Sequence, residues 1–327
     1  MRKHIFQALL IAAVSVLAAC GSVQSFTFEQ LYPAEVTYPA GVSHVAVVNN
    51  MPSAPAPKGD VLTAGMHEGD GKIAAETLAG ALADSRYFSQ VVICDSALCS
   101  EDIRTEAPML TQAQVEELCA SLEADMLFSV ERVALQTAKR EVFYPDFPMP
   151  FEVLEVKTRP TVRIYIPSRS KPMVSVSRVD SLYWDLLPDL SDRVVVRDAT
   201  SDAISALMPV LVPHWGEVSR LFYDSGSVEM RDAAVCVREN DWAEAKRLWQ
   251  QLYDSRKKGR LKAKAAFNMA LACEMEGSLD EASGWLDKAK GCVSPGSEEE
   301  RVADYYRKVL EEKRKDLPKL DMQMKRF

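Results

Sequence analysis

Apolar and polar residues follow two periods along residues 44–224, and together these predict a sheet covered by helices. Short apolar runs predict buried strands, and apolar positions three or four residues apart predict amphipathic helices. The predicted strands are residues 45–48, 88–93, 126–133, 151–166 and 172–184, the last two forming an antiparallel hairpin. The predicted helices are residues 72–85, 111–121 and 200–223, the last bent near Pro213. This order predicts an α+β fold, a mixed β-sheet with helices on its faces.

Two segments of the C-terminal part repeat each other at an offset of 37 residues. The matching positions are Ala233, Ala245 and Leu252 in the first segment and Ala270, Ala282 and Ala289 in the second. With Phe267 and Leu286 between the small residues, the second segment resembles a tetratricopeptide repeat. The resemblance implies a small all-α array of antiparallel helices, with a capping helix over residues 297–315. An unrelated pair of helical hairpins is the alternative.

The tetratricopeptide resemblance also implies a partner-binding face. In that family the first helix of each repeat supplies this face, which here points to Lys264, Phe267, Leu271 and Glu274. A helical groove of this kind binds its partner by burying apolar anchors. The alternative is that the repeats only stabilise the sheet domain.

The N-terminal segment is typical of an exported lipoprotein. Arg2 and Lys3 precede an apolar stretch, residues 5–19, which is shorter than the roughly 20 residues of a permanent membrane span. The stretch ends in small residues directly before Cys20, an arrangement that resembles the bacterial lipobox. The resemblance implies cleavage before Cys20, lipidation of that residue and a place in the outer membrane, facing the periplasm. An ordinary cleaved signal peptide is the alternative.

These patterns divide the chain into five predicted segments. They are a signal peptide (residues 1–19), a lipidated tether (20–43), an α/β sheet domain (44–224), a tetratricopeptide-like helical domain with its capping helix (225–316) and a basic tail (317–327). The tether is predicted from its irregular, proline-containing sequence.

Composition narrows the class of partner. The chain is 47% hydrophobic and 26% charged, as expected of a folded globular body. Loss of residues 1–19 removes two cations and no acid, so the formal net charge falls from −8 to −10. Because nucleic-acid binding requires a basic surface, we expect a protein partner in the cell envelope and no nucleic acid.

Six cysteines remain after Cys20, and an oxidising compartment permits disulfides among them. Cys94 and Cys99 are the best candidates, since a predicted strand runs into a loop between them. Two separate thiols are equally compatible with the sequence.

Motifs that carry chemistry are missing from the sequence. Beyond the signal segment the histidines are His44, His67 and His214, and no two have the spacing of metal ligands on one helix. The glycine-rich stretch at residues 65–72 fails as a phosphate loop, because Ile73 stands where a hydroxyl belongs. We therefore predict no catalytic residues, no metal site and no cofactor, and a protein that is not an enzyme.

As a whole the chain is similar to a family of tetratricopeptide-containing lipoproteins of unknown function from Gram-negative bacteria. The motifs that carry this likeness are residues 45–50, 117–125, 184 and 213–223. The sheet domain is also similar to the anticodon-binding-like α/β domains of periplasmic assembly lipoproteins, some of which form rings. These resemblances imply two functions: an envelope scaffold or adaptor that binds proteins through its repeats, or a structural subunit that self-associates into a ring through the α/β domain.

Overall fold

The computed structural model describes residues 23–52, 64–99, 108–143, 149–186 and 190–325. The strands are β1 (Val23–Tyr32), β2 (His44–Asn49), β3 (Gly65–Glu68), β4 (Gln90–Ala97), β5 (Met126–Val142), β6 (Phe151–Tyr165), β7 (Val174–Ser177), β8 (Asp180–Asp185) and β9 (His214–Tyr223). The helices are α1 (Gly71–Asp84), α2 (Gln112–Ser121), α3 (Asp192–Ser205), α4 (Met208–Leu211), α5 (Val228–Arg238), α6 (Trp242–Ser255), α7 (Arg260–Met275), α8 (Leu279–Gly291) and α9 (Glu298–Met324).

The chain forms two compact units. One comprises Pro33–His214 with Gln323–Phe327, and the other Met1–Tyr32 with Trp215–Met322. We call them the sheet unit and the helical unit.

The sheet unit is built on a seven-stranded mixed sheet. β4, β2 and β5 are parallel neighbours in that order, and β6 runs antiparallel to β5. β7 and β8 both pair with β6, while β3 pairs with the outer half of β5. This arrangement confirms the predicted fold class.

The central strand β2 explains why helices cover both faces of the sheet. Val45 and Val47 point to one face and join the core cluster beneath α1 and α3. Ala46 and Val48 point to the other face and join a second cluster with α2. A parallel strand buried on both faces carries an unbroken apolar run, which is why residues 45–48 were recognisable in the sequence.

Side-chain caps fix where the first two helices begin. The Asp70 side chain accepts hydrogen bonds from the backbone N–H groups of Lys72 and Ile73 at the start of α1. Thr111 and Gln114 form a reciprocal capping box at the start of α2, in agreement with the predicted cap.

The helical unit consists of a two-stranded ribbon, β1 with β9, and helices α5 to α9. α5 with α6 and α7 with α8 form two successive helical hairpins. Asn240 and Gly277 adopt positive φ angles of 59° and 79° directly after α5 and α7. A left-handed residue at this position ends a helix, and Asn240 supplies it where the second hairpin has a glycine.

Three predicted segments differ from the structure. Val23–Tyr32, predicted as part of an irregular tether, form β1. Residues 200–223, predicted as one bent helix, end their helices before Pro213 and continue as β9, because proline lacks the N–H that a helix requires. The predicted basic tail is the last part of α9, which continues through Pro318 to Met324.

The position of Phe26 provides a test of the β1 assignment. Its ring lies 4.9 Å from the Trp242 ring in an edge-to-face contact. We expect Phe26→Ala to lower the free energy of unfolding by about 1–2 kcal/mol, less than for a fully buried ring. Urea denaturation measures this, with Phe143→Ala, an exposed phenylalanine, as the matched control. Equal effects of the two substitutions would contradict a packed β1.

Candidate functional site

The four residues of the implied partner-binding face lie on α7, but the chain itself covers most of this face. Phe267, Leu271 and Glu274 are at most 4% exposed, and Lys264 is half-buried. The Phe267 ring contacts the rings of Tyr223 in β9 and Tyr306 in α9, with centroids 5.4 and 5.2 Å away. The structure therefore corrects the expectation of an open face. These residues do bury apolar surface, but the covering elements are β9 and α9.

Asn268 holds the β9 backbone against α7. Its Nδ2 donates to the Tyr223 carbonyl at 2.7 Å, and the Tyr223 N–H donates to its Oδ1 at 2.8 Å. Lys264 Nζ lies 4.8 Å above the Tyr223 ring. Sequence reasoning missed Asn268, although a lone amide within the apolar run of α7 was the available signal.

Glu274 is the centre of a buried ion cluster. Arg220 of β9 donates to both carboxylate oxygens, Nη2 to Oε1 and Nε to Oε2, each at 2.9 Å. On α9, the Tyr306 hydroxyl donates to Oε2 at 2.6 Å and Lys313 Nζ to Oε1 at 2.9 Å. Each oxygen thus accepts two hydrogen bonds, so the carboxylate has no acceptor site left for a substrate.

The charges of this cluster set its titration. Burial alone would raise the pKa of Glu274, but hydrogen bonds and charge from Arg220, Tyr306 and Lys313 outweigh it and hold the pKa below its usual value. Burial, followed by the charge of Glu274, raises the pKa of Tyr306 well above its usual value. Glu274 is therefore a permanent anion and Tyr306 a permanent donor near neutral pH.

A second buried carboxyl group, that of Glu131, lies in the sheet unit where the parallel pairing of β2 with β5 ends. The chain leaves β2 for β4 on one side and later crosses to β5 on the other, and open α/β sheets bind ligands at such a switch point. A β-bulge between Val130 and Arg132 leaves Glu131 without a residue opposite it on β6. Bulges of this kind redirect a side chain.

The neighbours of Glu131 close this site. Asn50 Nδ2 donates to its Oε2 at 2.9 Å, Arg163 Nη1 lies 3.3 Å from Oε2, and the Tyr165 hydroxyl lies 3.4 Å from Oε1. Burial raises the pKa of Glu131, and the lowering effects of Asn50, Arg163 and Tyr165 do not cancel it. Because these side chains use their hydrogen-bonding groups on one another, we assign the cluster a structural role at the switch point.

The sheet unit exposes an apolar edge and an apolar hairpin end. Among the described residues, β4 pairs with β2 on one side only. Val91, Val92 and Ile93 on this edge strand are half-buried. At the end of the β5–β6 hairpin, Phe143 and Met149 are 72% and 70% exposed.

Cys94 and Cys99 are both thiols in the structure, which is the alternative that the sequence left open beside a disulfide. Cys94 lies in β4 and is half-buried, whereas Cys99 follows the strand and is buried.

One group of metal-ligand atoms occurs among the described residues, formed by Cys273, Glu276 and Glu281. Burial raises the pKa of the Cys273 thiol to about 11, so the thiolate that binds metals is scarce. Lys246 Nζ donates to Glu276 and neutralises a further ligand. We assign no ion to this group.

In the described part of the chain, each helix is too short or too polar to cross a membrane.

Two family models match the chain. The model described as Domain of unknown function (DUF8603) matches residues 42–223, more than half of the chain. The model described as Domain of unknown function (DUF6340) matches residues 231–312. Neither description names a tetratricopeptide repeat, so that resemblance stays a prediction. No curated protein matches the chain.

Two solved structures are distantly similar. The PelC dodecamer from Paraburkholderia phytofirmans is 17% identical with a TM-score of 0.28, covering 58% of this chain and 99% of that chain. A minor lipoprotein from Acinetobacter baumannii is 10% identical with a TM-score of 0.21, covering 52% of this chain and 93% of that chain. These scores are too low to establish a shared fold, and no function is transferred from either protein.

Glu274→Gln tests the ion cluster. The folded-state pKa of Glu274 is lowered, so its stabilising effect is present above the pKa of an unfolded glutamate and is lost as the pH falls through the folded value. At about pH 7 we expect the substitution to lower the free energy of unfolding by roughly 3–5 kcal/mol, because Arg220 and Lys313 lose their counter-ion. Urea denaturation at neutral and acidic pH measures the effect, which should shrink in acid.

Glu131→Gln is the substitution matched to Glu274→Gln, and we expect its effect on the free energy of unfolding to have the opposite pH dependence. The folded-state pKa of Glu131 is raised, so its contribution to stability is full below the pKa of an unfolded glutamate and is lost as the pH rises through the folded value. At about pH 7 we expect a loss of less than about 1 kcal/mol, because a neutral isostere keeps the hydrogen bonds. A loss as large as that of Glu274→Gln would show that Glu131 is a needed anion.

Proposed function

We propose that this chain, which belongs to the family described as Domain of unknown function (DUF8603), is a lipid-anchored envelope protein that self-associates through its sheet unit. In this role it is a structural subunit of an assembly on the membrane surface, and it catalyses no reaction. The observation that carries the proposal is the apolar edge of β4, which among the described residues pairs with β2 alone.

The anchor is the Cys20 thiol, on the strength of the lipobox-like sequence before it. Several acyl chains on one residue anchor firmly, since each buried methylene contributes about 0.8 kcal/mol. We place the anchor in the outer membrane with the body facing the periplasm, because Gly21 and Ser22, and no acidic residue, follow Cys20. Confinement to a surface raises the effective concentration of one copy near another.

The chemistry of β4 suits a second copy of the same strand. An edge strand presents unpaired backbone N–H and C=O groups, and proteins that remain monomeric protect such edges with lysine, proline or a bulge. β4 has neither lysine nor proline, and Asp95 is its one charged residue. Its pairing with β2 shifts register between Ile93 and Ala97, so the regular part of the edge is Gln90–Ile93. A two-fold axis would place β4 antiparallel to its copy and extend the sheet through both chains.

The exposed hairpin end supports the same function. Phe143, Met149 and Phe151 present apolar side chains at the end of β5 and β6. Contiguous exposed apolar side chains mark interaction surfaces more often than isolated ones do. The sheet unit thus offers two surfaces through which an assembly could grow beyond a dimer.

An adaptor function through the helical unit is the second candidate. The observation that favours it is the Asn268 amide, which binds both the N–H and the C=O of Tyr223 in an extended strand. A partner strand would have to displace β9 from this face. We rank this function second because the displacement would also break the contacts of Arg220 with Glu274.

Val92→Lys tests self-association. A half-exposed lysine on the edge strand should keep the fold and lower the self-association constant at least tenfold, on the order of the several kcal/mol that like charges cost when juxtaposed. Sedimentation velocity of the mature chain with Cys20→Ser measures it, and in-cell crosslinking tests the lipidated protein. Val179→Lys, at an exposed valine elsewhere in the sheet unit, is the control.

The outcomes separate the two functions. Self-crosslinks that are lost in Val92→Lys and kept in Val179→Lys would support the structural subunit. A monomeric wild-type chain, or association that is equal in both variants, would contradict it. A crosslinked partner protein that is lost in Asn268→Ala and kept in Val92→Lys would favour the adaptor.

A further inference from the structure

The folded body begins very close to the proposed lipid anchor. Gly21 and Ser22 alone separate Cys20 from Val23, the first residue of β1. An extended chain spans at most about 3.6 Å per residue, so the Cα atom of Val23 lies within roughly 11 Å of that of Cys20. The start of β1 must therefore lie at the membrane surface if Cys20 carries lipid, and the inference rests on this part of the proposed function.

The start of β1 adjoins the residue after β9, and the segment that follows β9 adjoins the start of α7. Gln24 Nε2 donates to Asp224 Oδ2 at 2.6 Å, directly after β9. Two residues further on, a Cβ atom at Gly226 would lie 2.9 Å from Leu261 Cδ1 in the first turn of α7. The loop that precedes α7 is thus linked to the start of β1 through Gly226 and Asp224.

This loop carries three consecutive cations, Arg256, Lys257 and Lys258, all of them exposed. We call it the basic loop. Its backbone is held in place, because Lys262 Nζ donates to the Arg256 carbonyl at 2.7 Å. Arg256 also lies near the start of α5, where its charge adds to the hydrogen bond from Ser227 in lowering the pKa of Glu229.

The charge of the basic loop is available to an outside partner. The next cation, Arg260, is paired with Glu298 and Glu299. In the described ranges, by contrast, neither Lys257 nor Lys258 forms an ion pair. The mature chain has a formal charge of −10. The three adjacent cations of the basic loop are therefore a positive cluster on a protein that is negatively charged overall. Such a cluster complements an anionic lipid surface.

We propose that the basic loop, Arg256 to Lys258, docks on anionic phospholipid headgroups beside the lipid anchor. The acyl chains keep the protein on the membrane, and the loop fixes which side of the helical unit faces it. Three cations alone bind a membrane weakly, at about 1 kcal/mol each. Next to a covalent anchor the contact is intramolecular, and weak binding is enough to set an orientation.

Hydrogen exchange of the lipidated protein in nanodiscs tests this proposal. One set of discs contains phosphatidylcholine alone, and the other contains equal parts of phosphatidylcholine and phosphatidylglycerol. The variant Arg256→Glu, Lys257→Glu, Lys258→Glu reverses the basic loop. The control variant Arg169→Glu, Lys171→Glu, Arg178→Glu makes the same charge change at exposed positions of the sheet unit.

We expect the backbone amides of residues 255–259 to exchange several-fold more slowly in the anionic discs, for wild type and control variant alike. Each cation near an anionic surface contributes about fivefold, so reversing three should abolish the slowing. Equal exchange in both disc types, or slowing that survives the loop reversal, would overturn the proposal. Mass spectrometry of the N-terminal residue separates the two claims: an unmodified Cys20 refutes the anchor, whereas a lipidated chain with an unprotected loop refutes only the docking.

Discussion

The helical unit depends on one buried carboxylate. Glu274 joins a strand to two helices, because its two oxygens accept hydrogen bonds from Arg220 of β9 and from Tyr306 and Lys313 of α9. Removing such charges from water is costly, and the cost is offset only when every partner is in place. The ribbon, α7 and α9 therefore have to assemble together, and this assembly closes the face that the repeat pattern suggested was open.

Glu131 shows how far the surroundings of a buried carboxyl group decide its role. Among the described residues it pairs with one cation, Arg163 at 3.3 Å, whereas Glu274 pairs with a bidentate arginine and a lysine. Burial prevails at Glu131 and raises its pKa, while the cations prevail at Glu274 and lower it. The sequence contains no sign of this difference, because all of the deciding partners are distant along the chain.

Whether the deciding residues are near or distant along the chain also explains which parts of the fold could be predicted. The run Val45–Val48 and the Thr111 cap are local signals, and both the strand and the helix they predict are present. The pairing of β1 with β9 joins residues about 200 positions apart, such as Gln24 and Asp224, and no local pattern reports it. At the candidate site, Phe267 and Leu271 were correctly recognised as apolar positions of α7, but what covers them lies in β9 and α9.

Because β9 and α9 cover α7, the groups that remain available to a partner lie at other surfaces of the protein. β9 already uses the hydrogen-bonding capacity of Asn268, so a partner of that face would have to offer more than the chain's own strand does. Within the described ranges no second strand pairs with β4 and no ion pair engages Lys257 or Lys258, so neither surface requires such a displacement. The proposed anchor would favour both contacts, since it would hold a copy or a lipid headgroup nearby, so that less translational freedom is lost at the moment of contact. An anchored protein can thus assemble and orient itself through contacts that would be too weak for a free one.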